Sequence, residues 1–150
     1  MQNDSTNIYL SARRAAGYTR EKAAEMIPVS VRSLCDYENG RTIPPNDVVE
    51  RMVICYAAQY LAYQHLHETN VLAARVVPEL ERRSVMESVV RLYNRMKRFD
   101  DSCGLERLLE IAEDNQIGED ERSDFNAIAA DIRELVKTGL ELEMFLNESN

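Results

Sequence analysis

The chain has 150 residues, 45% of them hydrophobic, and a formal net charge of -8. That length accommodates one domain or two small ones around a buried core, and no run of about 18 apolar residues is present to span a membrane. The start, residues 1–7, lacks the basic and apolar regions of a signal peptide. Three widely spread cysteines without paired spacing argue against a disulfide framework or a zinc site and favour a cytoplasmic location: Cys35, Cys55 and Cys103.

The excess negative charge lies in the second half of the sequence. Up to His67, seven basic residues balance seven acidic ones, whereas 11 basic and 19 acidic residues follow. DNA carries about one negative charge per 1.7 Å of its axis and therefore repels an acidic segment. The charge distribution permits DNA binding by the first half alone, with the second half pointing away from DNA or contacting protein.

The first predicted helix follows a polar lead-in at residues 3–6. Asn7 or Ser5 is placed to cap this helix, and Gly17 ends it. Thr19 is placed to cap a second helix, whose small apolar face is made of alanines and an isoleucine.

The stretch from Thr19 to Pro44 has the pattern of two short helices joined by a tight break. Pro28 cannot lie inside a helix because its ring clashes with the preceding turn, and Ser30 stands where a new N-cap is needed. In the helix that follows, Leu34 faces inward, and Gly40 supplies a left-handed end. This arrangement predicts a helix-turn-helix, a motif whose second helix enters the DNA major groove.

Two more helices are predicted to close this N-terminal head. The fourth is capped by Asn46 or Asp47, and the fifth continues to Leu66. His65 and His67 are two residues apart on the fifth helix and cannot share a metal, so we interpret both as surface or boundary residues. The apolar stripe of the fourth helix comprises Val48, Val49, Met52, Val53 and Tyr56.

The remaining sequence predicts a long antiparallel helical hairpin with arms of nearly 30 residues. Ser84 to Glu87 forms a capping box that starts the first arm, and Gly104 is a point where that arm kinks. An acidic turn at residues 114–118 does not match an EF-hand loop, and Gly139 on the inner stripe of the second arm permits close approach. The inward positions of the first arm are Val89, Leu92, Tyr93, Met96 and Phe99.

Such a hairpin leaves half of its apolar surface in water. It must fold back onto the head or pack against a second hairpin, which would give a four-helix bundle. We predict a homodimer formed through the hairpin, an arrangement that also suits palindromic DNA sites.

The stretch from about Leu10 to about Tyr56 resembles the phage-repressor-like, or XRE, family of helix-turn-helix regulators, and the resemblance extends over about residues 8–66. It implies an all-α protein with a five-helix, lambda-repressor-like DNA-binding head at residues 1–67. A connector at 68–84 and the acidic oligomerisation hairpin at 85–150 follow. The resemblance is carried by Arg13, Gly17, Thr19, Glu21, Ala24, Val29, Ser30, Leu34, Tyr37, Glu38, Asn39, Gly40, Arg41 and Pro44.

The resemblance also implies roles for individual residues. Arg13 and Glu38 pair and lock the first helix to the third, orienting the helices more than stabilising them, since exposed pairs contribute only about 0–1 kcal/mol. The implied base-reading residues are Val31, Arg32, Ser33 and Asp36. The implied phosphate contacts are Thr19, Arg20, Ser30, Asn39 and Arg41.

Two positions depart from the family pattern. Arg20 replaces the glutamine that is common there, which adds positive charge toward phosphate. Pro28 replaces the usual glycine at the turn and forbids the left-handed backbone that glycine would adopt. The turn is therefore expected to be built differently.

The sequence predicts a transcriptional repressor of a bacterium, phage or mobile element that binds double-stranded DNA as a homodimer. It contains no G-x-S-x-G, HExxH or P-loop motif, so we predict no enzyme, cofactor or metal site. An alternative is a protein-interaction module, such as an antitoxin or anti-regulator, that binds a protein partner through the acidic hairpin. A third interpretation is a repressor with an effector pocket in the hairpin.

Overall fold

A computed structural model describes residues 7–145, and all regular secondary structure in that range is α-helical, as predicted. The predicted lead-in at residues 3–6, the alternative cap Ser5 and the end of the hairpin at residues 146–150 lie outside the described range. Contacts divide the described chain into two compact units, one ending at Val77 and one running from Pro78 to Phe145. The first contains α1 (Ile8–Ala15), α2 (Arg20–Met26), α3 (Val31–Glu38), α4 (Asn46–Tyr56), α5 (Gln59–Thr69) and α6 (Val71–Val76).

The hydrophobic core of the first unit is assembled from α1 to α5. Ile27, Leu34 and Met52 are fully buried in it. The stripe predicted for α4 is confirmed: Val53 is half-buried against the core, and the other four residues are buried. Burying side chains of this size contributes about 1.5–3 kcal/mol each, so this core fixes how α2 and α3 are held.

His65 is buried, and its prediction as a surface or boundary residue was wrong. The side chain is 3% exposed and lies between Tyr9 Oη and Asn46 Oδ1, each 2.9 Å from a ring nitrogen. Asn46 or Asp47 was predicted to cap α4, but Asn46 bonds His65 and Asp47 pairs with Arg51, and Pro45 precedes α4 without a side-chain cap. His67 is half-buried.

The first three helices end in the same way. Each is followed by a residue with positive φ: Gly17 at 76°, Pro28 at 29° and Gly40 at 68°. After each of these, a backbone N–H reaches back to a carbonyl five residues earlier, as in a Schellman motif: Tyr18 to Arg13, Val29 to Ala24, and Arg41 to Asp36. The turn at Pro28 was expected to avoid the left-handed backbone, and that expectation was wrong.

The second unit contains α7 (Val85–Asp101), α8 (Gly104–Ile111) and α9 (Arg122–Glu143). The predicted capping box is present, because Ser84 Oγ accepts a hydrogen bond from Glu87 N and Glu87 accepts one from Ser84 N. The first predicted arm is not one long helix: it is interrupted at Cys103, whose φ is 51°. The ring of Phe99 packs so close to Gly104 that a Cβ there would lie 2.6 Å from it.

The inward face of α7 differs from the prediction. Leu92 and Phe99 are partly buried, but Val89, Tyr93 and Met96 are exposed. The face that packs on α9 carries polar residues, including Arg95, whose Nη1 lies 2.5 Å from Glu134 Oε2. On α9 the buried positions are Ile128, Thr138 and Glu141. A Cβ added at Gly139 would meet nothing within 4 Å, so the predicted close approach at that glycine was wrong.

Candidate nucleic-acid interface

The helix-turn-helix is held by caps and by a buried anchor. Thr19 Oγ1 accepts a hydrogen bond from Lys22 N and caps α2, and Ser30 Oγ accepts one from Ser33 N and caps α3. Leu34 of α3 is fully buried. The first turn of α3 is therefore fixed to the core by its next turn while its own side chains face outward.

The side chains predicted to read bases lie on the outer face of α3. Val31 is 43% exposed, Arg32 is exposed, and Ser33 and Asp36 are half-buried. The Arg32 side chain makes no hydrogen bond or ion pair with any residue between 7 and 145. Ser33 Oγ shares a hydrogen bond with Ser30 Oγ at 2.8 Å. This face offers an uncommitted guanidinium, a methyl-bearing side chain and hydroxyls.

Two of the proposed DNA-contacting residues bind each other. Arg41 Nη1 lies 3.1 Å from Asp36 Oδ1, with the arginine side chain 69% exposed. Asn39, next to them, is exposed and directs Nδ2 toward Cys35 Sγ at 3.2 Å. A phosphate contact by Arg41 would therefore compete with Asp36.

Arg13, Arg20 and Glu38 form an ionic cluster around a buried carboxylate, named here the Glu38 cluster. Arg13 donates from Nε to Oε1 at 2.5 Å and from Nη2 to Oε2 at 3.0 Å. Arg20 donates from Nε and Nη2 to Oε2 at 3.0 and 2.9 Å. The Glu38 side chain has no exposed surface. The predicted pair thus lies in the interior rather than at an exposed position, and it has a third member.

The cluster keeps Glu38 ionised. Burial raises the pKa of Glu38, but the hydrogen bonds from Arg13 and Arg20 outweigh burial and hold that pKa below its ordinary value. Arg13 Nη1 also donates to the Tyr18 carbonyl at 2.7 Å. The cluster therefore joins the ends of α1 and α3 to the start of α2.

Sequence reasoning missed the bond between Arg20 and Glu38 and the burial of His65. The first joins residues 18 apart in sequence, and no local pattern indicates it. The second had a signal, because His65 lies four residues after Leu61 and so shares its helix face, and Leu61 is buried.

Neither a metal cluster nor a membrane span is found in the described chain. No group of three or more histidine, cysteine, aspartate or glutamate residues among residues 7–145 is arranged to hold a metal ion. None of the helices there has the length and apolar character needed to cross a bilayer. Cys35 and Cys55 are half-buried thiols, and Cys103 is exposed.

Comparison with known proteins identifies the N-terminal region. Residues 11–60 match a family model described as a helix-turn-helix domain. No curated protein and no solved structure matches the chain. The matched range covers α2, α3 and α4 completely. The chain therefore carries a helix-turn-helix domain at residues 11–60, as its resemblance to the phage-repressor-like regulators predicted.

Proposed function

We propose that this protein is a sequence-specific DNA-binding transcriptional regulator that inserts α3 into the major groove. The observation that carries the proposal is the exposed first turn of α3, with Val31 and Arg32 outward, fixed to the core by the buried Leu34. A recognition helix needs this combination, because base readout requires free side chains at a defined position. Helix-turn-helix domains of this kind bind DNA, and we assign the chain no catalytic role.

Base reading falls to four residues of α3. Arg32, without a partner in the described chain, is suited to donate two hydrogen bonds to guanine O6 and N7, a contact that contributes about 1–3 kcal/mol of discrimination. Val31 fits a thymine methyl group. Asp36 accepts from cytosine N4 once Arg41 turns to a phosphate, and Ser33 lies beside them.

Phosphate binding falls to the residues around this face. Thr19, Ser30, Asn39 and Arg41 are exposed. Arg20 directs Nε and Nη2 to Glu38, which leaves Nη1 for a phosphate oxygen. Glu38 would then orient Arg20 before DNA arrives, which lowers the entropy lost on binding.

We further propose that the regulator is a cytoplasmic repressor that binds as a homodimer, with its acidic second unit away from DNA. Residues 78–145 carry 17 acidic and 10 basic side chains, so phosphate repels this unit. A single helix-turn-helix contacts one half-site, and two copies would read a two-fold symmetric site.

The experiment is selection of binding sites from random DNA with the full chain, followed by fluorescence anisotropy. Arg32→Ala should lose discrimination among selected sites more than overall affinity, and Arg41→Ala should weaken all DNA alike. Arg75→Ala removes the same charge from exposed α6 and is the control.

Failure to enrich any sequence, or equal effects of Arg32→Ala on cognate and random DNA, would overturn the proposal. Binding of a protein partner by the acidic unit, without DNA binding, would favour the antitoxin or anti-regulator alternative.

A further inference from the structure

Helix α7 is apolar on the side that faces away from α9. The exposed positions are Met86 at 72%, Val89 at 46%, Val90 at 47%, Tyr93 at 64% and Met96 at 57%. Their spacing of three and four residues places them on one face of the helix. These five residues are named here the α7 stripe. Contiguous exposed apolar surface of this kind marks an interaction site.

The opposite face of α7 buries little apolar surface, since only Leu92 and Phe99 are partly buried there. It presents Ser88, which is fully buried and whose hydroxyl has no partner among the described residues. Across from it, α9 buries Thr138 and Glu141. The buried apolar residues of this unit within the described range are few: Leu80, Ile111, Ile128 and Met144. The unit therefore places more large apolar side chains in water than in its interior, which a partner would correct.

We propose that the α7 stripe packs against the α7 stripe of a second copy of this chain, with the two helices antiparallel. This inference rests on the proposed function, in which two copies read a two-fold symmetric site. A stripe that pairs with itself gives an isologous contact with two-fold symmetry, the commonest arrangement of soluble homo-oligomers.

Charge at the ends of the stripe sets the orientation. Glu87 lies in the first turn of α7, and Lys97 and Asp100 continue the stripe because they follow Val90 and Tyr93 by seven residues. Parallel packing would bring Lys97 and Asp100 each against its own counterpart and place like charges together. Antiparallel packing removes both repulsions and brings Lys97 to the level of Glu87 of the second copy. Charges flanking an apolar seam choose orientation in this way.

The antiparallel register follows from matching the apolar positions. Met86 of one copy lies opposite Met96 of the second copy, and Val89 lies opposite Tyr93 of the second copy. The seam is then apolar along its length, with large side chains beside smaller ones, as interdigitated packing requires.

Sedimentation equilibrium of the full chain at micromolar concentration tests the pairing. The unaltered chain should be a dimer, and Val89→Asp should weaken its association by at least about tenfold, because a charge would be buried in the seam. Asn126→Asp adds the same charge at an exposed position of α9 and should leave the dimer intact. Far-UV circular dichroism verifies that both variants keep their helices.

A monomeric unaltered chain would overturn the inference, as would a Val89→Asp variant that dimerises normally. If the backbone amides of α7 are protected from hydrogen exchange in a monomer, the first unit of the same chain covers the α7 stripe, and a second copy does not. If the chain stays monomeric by itself and pairs only with a different protein, that protein covers the α7 stripe instead of a second copy.

Spin labels test the orientation. After replacement of the three cysteines by serine, a label at Arg98→Cys should give an offset between copies of about 20 Å along the helix axis, at 1.5 Å per residue, if α7 is antiparallel. A parallel pair gives no axial offset, and that result would overturn the arrangement.

Anisotropy with half-site DNA separates this inference from the proposed function. Val89→Asp should still bind a half-site through α3 while losing the tighter binding to a two-fold site. If the unaltered chain is a dimer that binds no DNA, the proposed function fails and the interface stands. If Val89→Asp keeps both modes of binding, the interface fails.

Discussion

Arg20 of α2 and Glu38 of α3 are joined by two hydrogen bonds, of 3.0 and 2.9 Å, to the same carboxylate oxygen. Glu38 is 2% exposed, whereas about a third of the Arg20 side chain remains in water. One arginine thus reaches from the interior to the surface where phosphate is expected. Arg20, one of the two residues that depart from the pattern of the family the chain resembles, is tied to the carboxylate that also binds Arg13 of α1.

Glu38→Gln should strongly destabilise the first unit. The change leaves two arginines without their carboxylate, and breaking a buried ion pair from one side costs about 3–5 kcal/mol. Six of the seven tyrosines lie in residues 1–77, so near-UV circular dichroism during urea unfolding reports on this unit. Arg20→Gln is the matched comparison: Glu38 keeps Arg13, and the expected loss is about 1–2 kcal/mol. Equal losses in the two variants would contradict this account.

The sequence was sufficient to predict the helix-turn-helix because its signals are local. Thr19 and Ser30 cap the helices they were predicted to cap, and Gly40 ends α3 with positive φ. Each of these depends on a few neighbouring residues whose side chains or backbone freedom act within one turn.

Contacts between distant residues could not be predicted in the same way. The burial of His65 depends on Tyr9, 56 residues away. The face of α7 was assigned wrongly because two apolar stripes overlap on that helix, and periodicity does not say which one an adjoining helix covers. Leu92 and Phe99 turn toward the unit, whereas Tyr93 turns to solvent.

Pro28→Gly should stabilise the protein. Proline normally holds φ near -65°, but Pro28 has φ of 29°. It also lacks the N–H that Gly17 and Gly40 donate at the corresponding positions, to Arg14 and Tyr37. Relief of a strained backbone contributes about 1–3 kcal/mol, and greater freedom of the unfolded chain offsets about 0.4–1 kcal/mol of that. The expected net gain is about 1 kcal/mol, measured by tyrosine-monitored unfolding.

The control for Pro28→Gly adds a side chain, instead of removing one, at another position of positive φ. A Cβ at Gly17 would meet nothing within 4 Å, so Gly17→Ala tests backbone strain alone, at a φ of 76°. It should destabilise by about 1 kcal/mol. A loss of stability in Pro28→Gly would show that the turn does not hold a left-handed backbone.

The first unit should lose stability as the pH falls below about 6.5. Burial lowers the pKa of His65 below its ordinary value of 6.5. At pH values between the lowered pKa and 6.5, the unfolded chain therefore binds more protons than the folded one. In that window the free energy of unfolding decreases as the pH decreases. Tyrosine-monitored melting between about pH 7.5 and 5.5 measures it.

Substitution of each histidine identifies the group responsible. His65→Gln should flatten the dependence, since an amide keeps a donor and an acceptor for Asn46 and Tyr9 without titrating. His67→Gln should leave the dependence unchanged. The interpretation is wrong if His67→Gln, and not His65→Gln, removes it.

Asp36→Asn should strengthen binding to random DNA and make binding depend more steeply on salt. In the free protein Arg41 Nη1 lies 3.1 Å from Asp36 Oδ1. This internal ion pair must be broken before Arg41 binds a phosphate, which weakens its net attraction to DNA. In the unaltered chain, the Asp36 carboxylate that Arg41 leaves on binding phosphate takes up a cation, which offsets the cation that Arg41 releases from DNA. Without that carboxylate the release is kept, so the magnitude of the slope of log affinity against log salt increases by about one. Anisotropy at several salt concentrations measures that slope. Asp124→Asn removes an exposed carboxylate paired with Arg107 at 2.8 Å in the second unit and should leave the slope unchanged. If Asp36→Asn leaves the salt slope unchanged as well, Arg41 does not bind phosphate, and the turn after α3 does not belong to the DNA-binding interface.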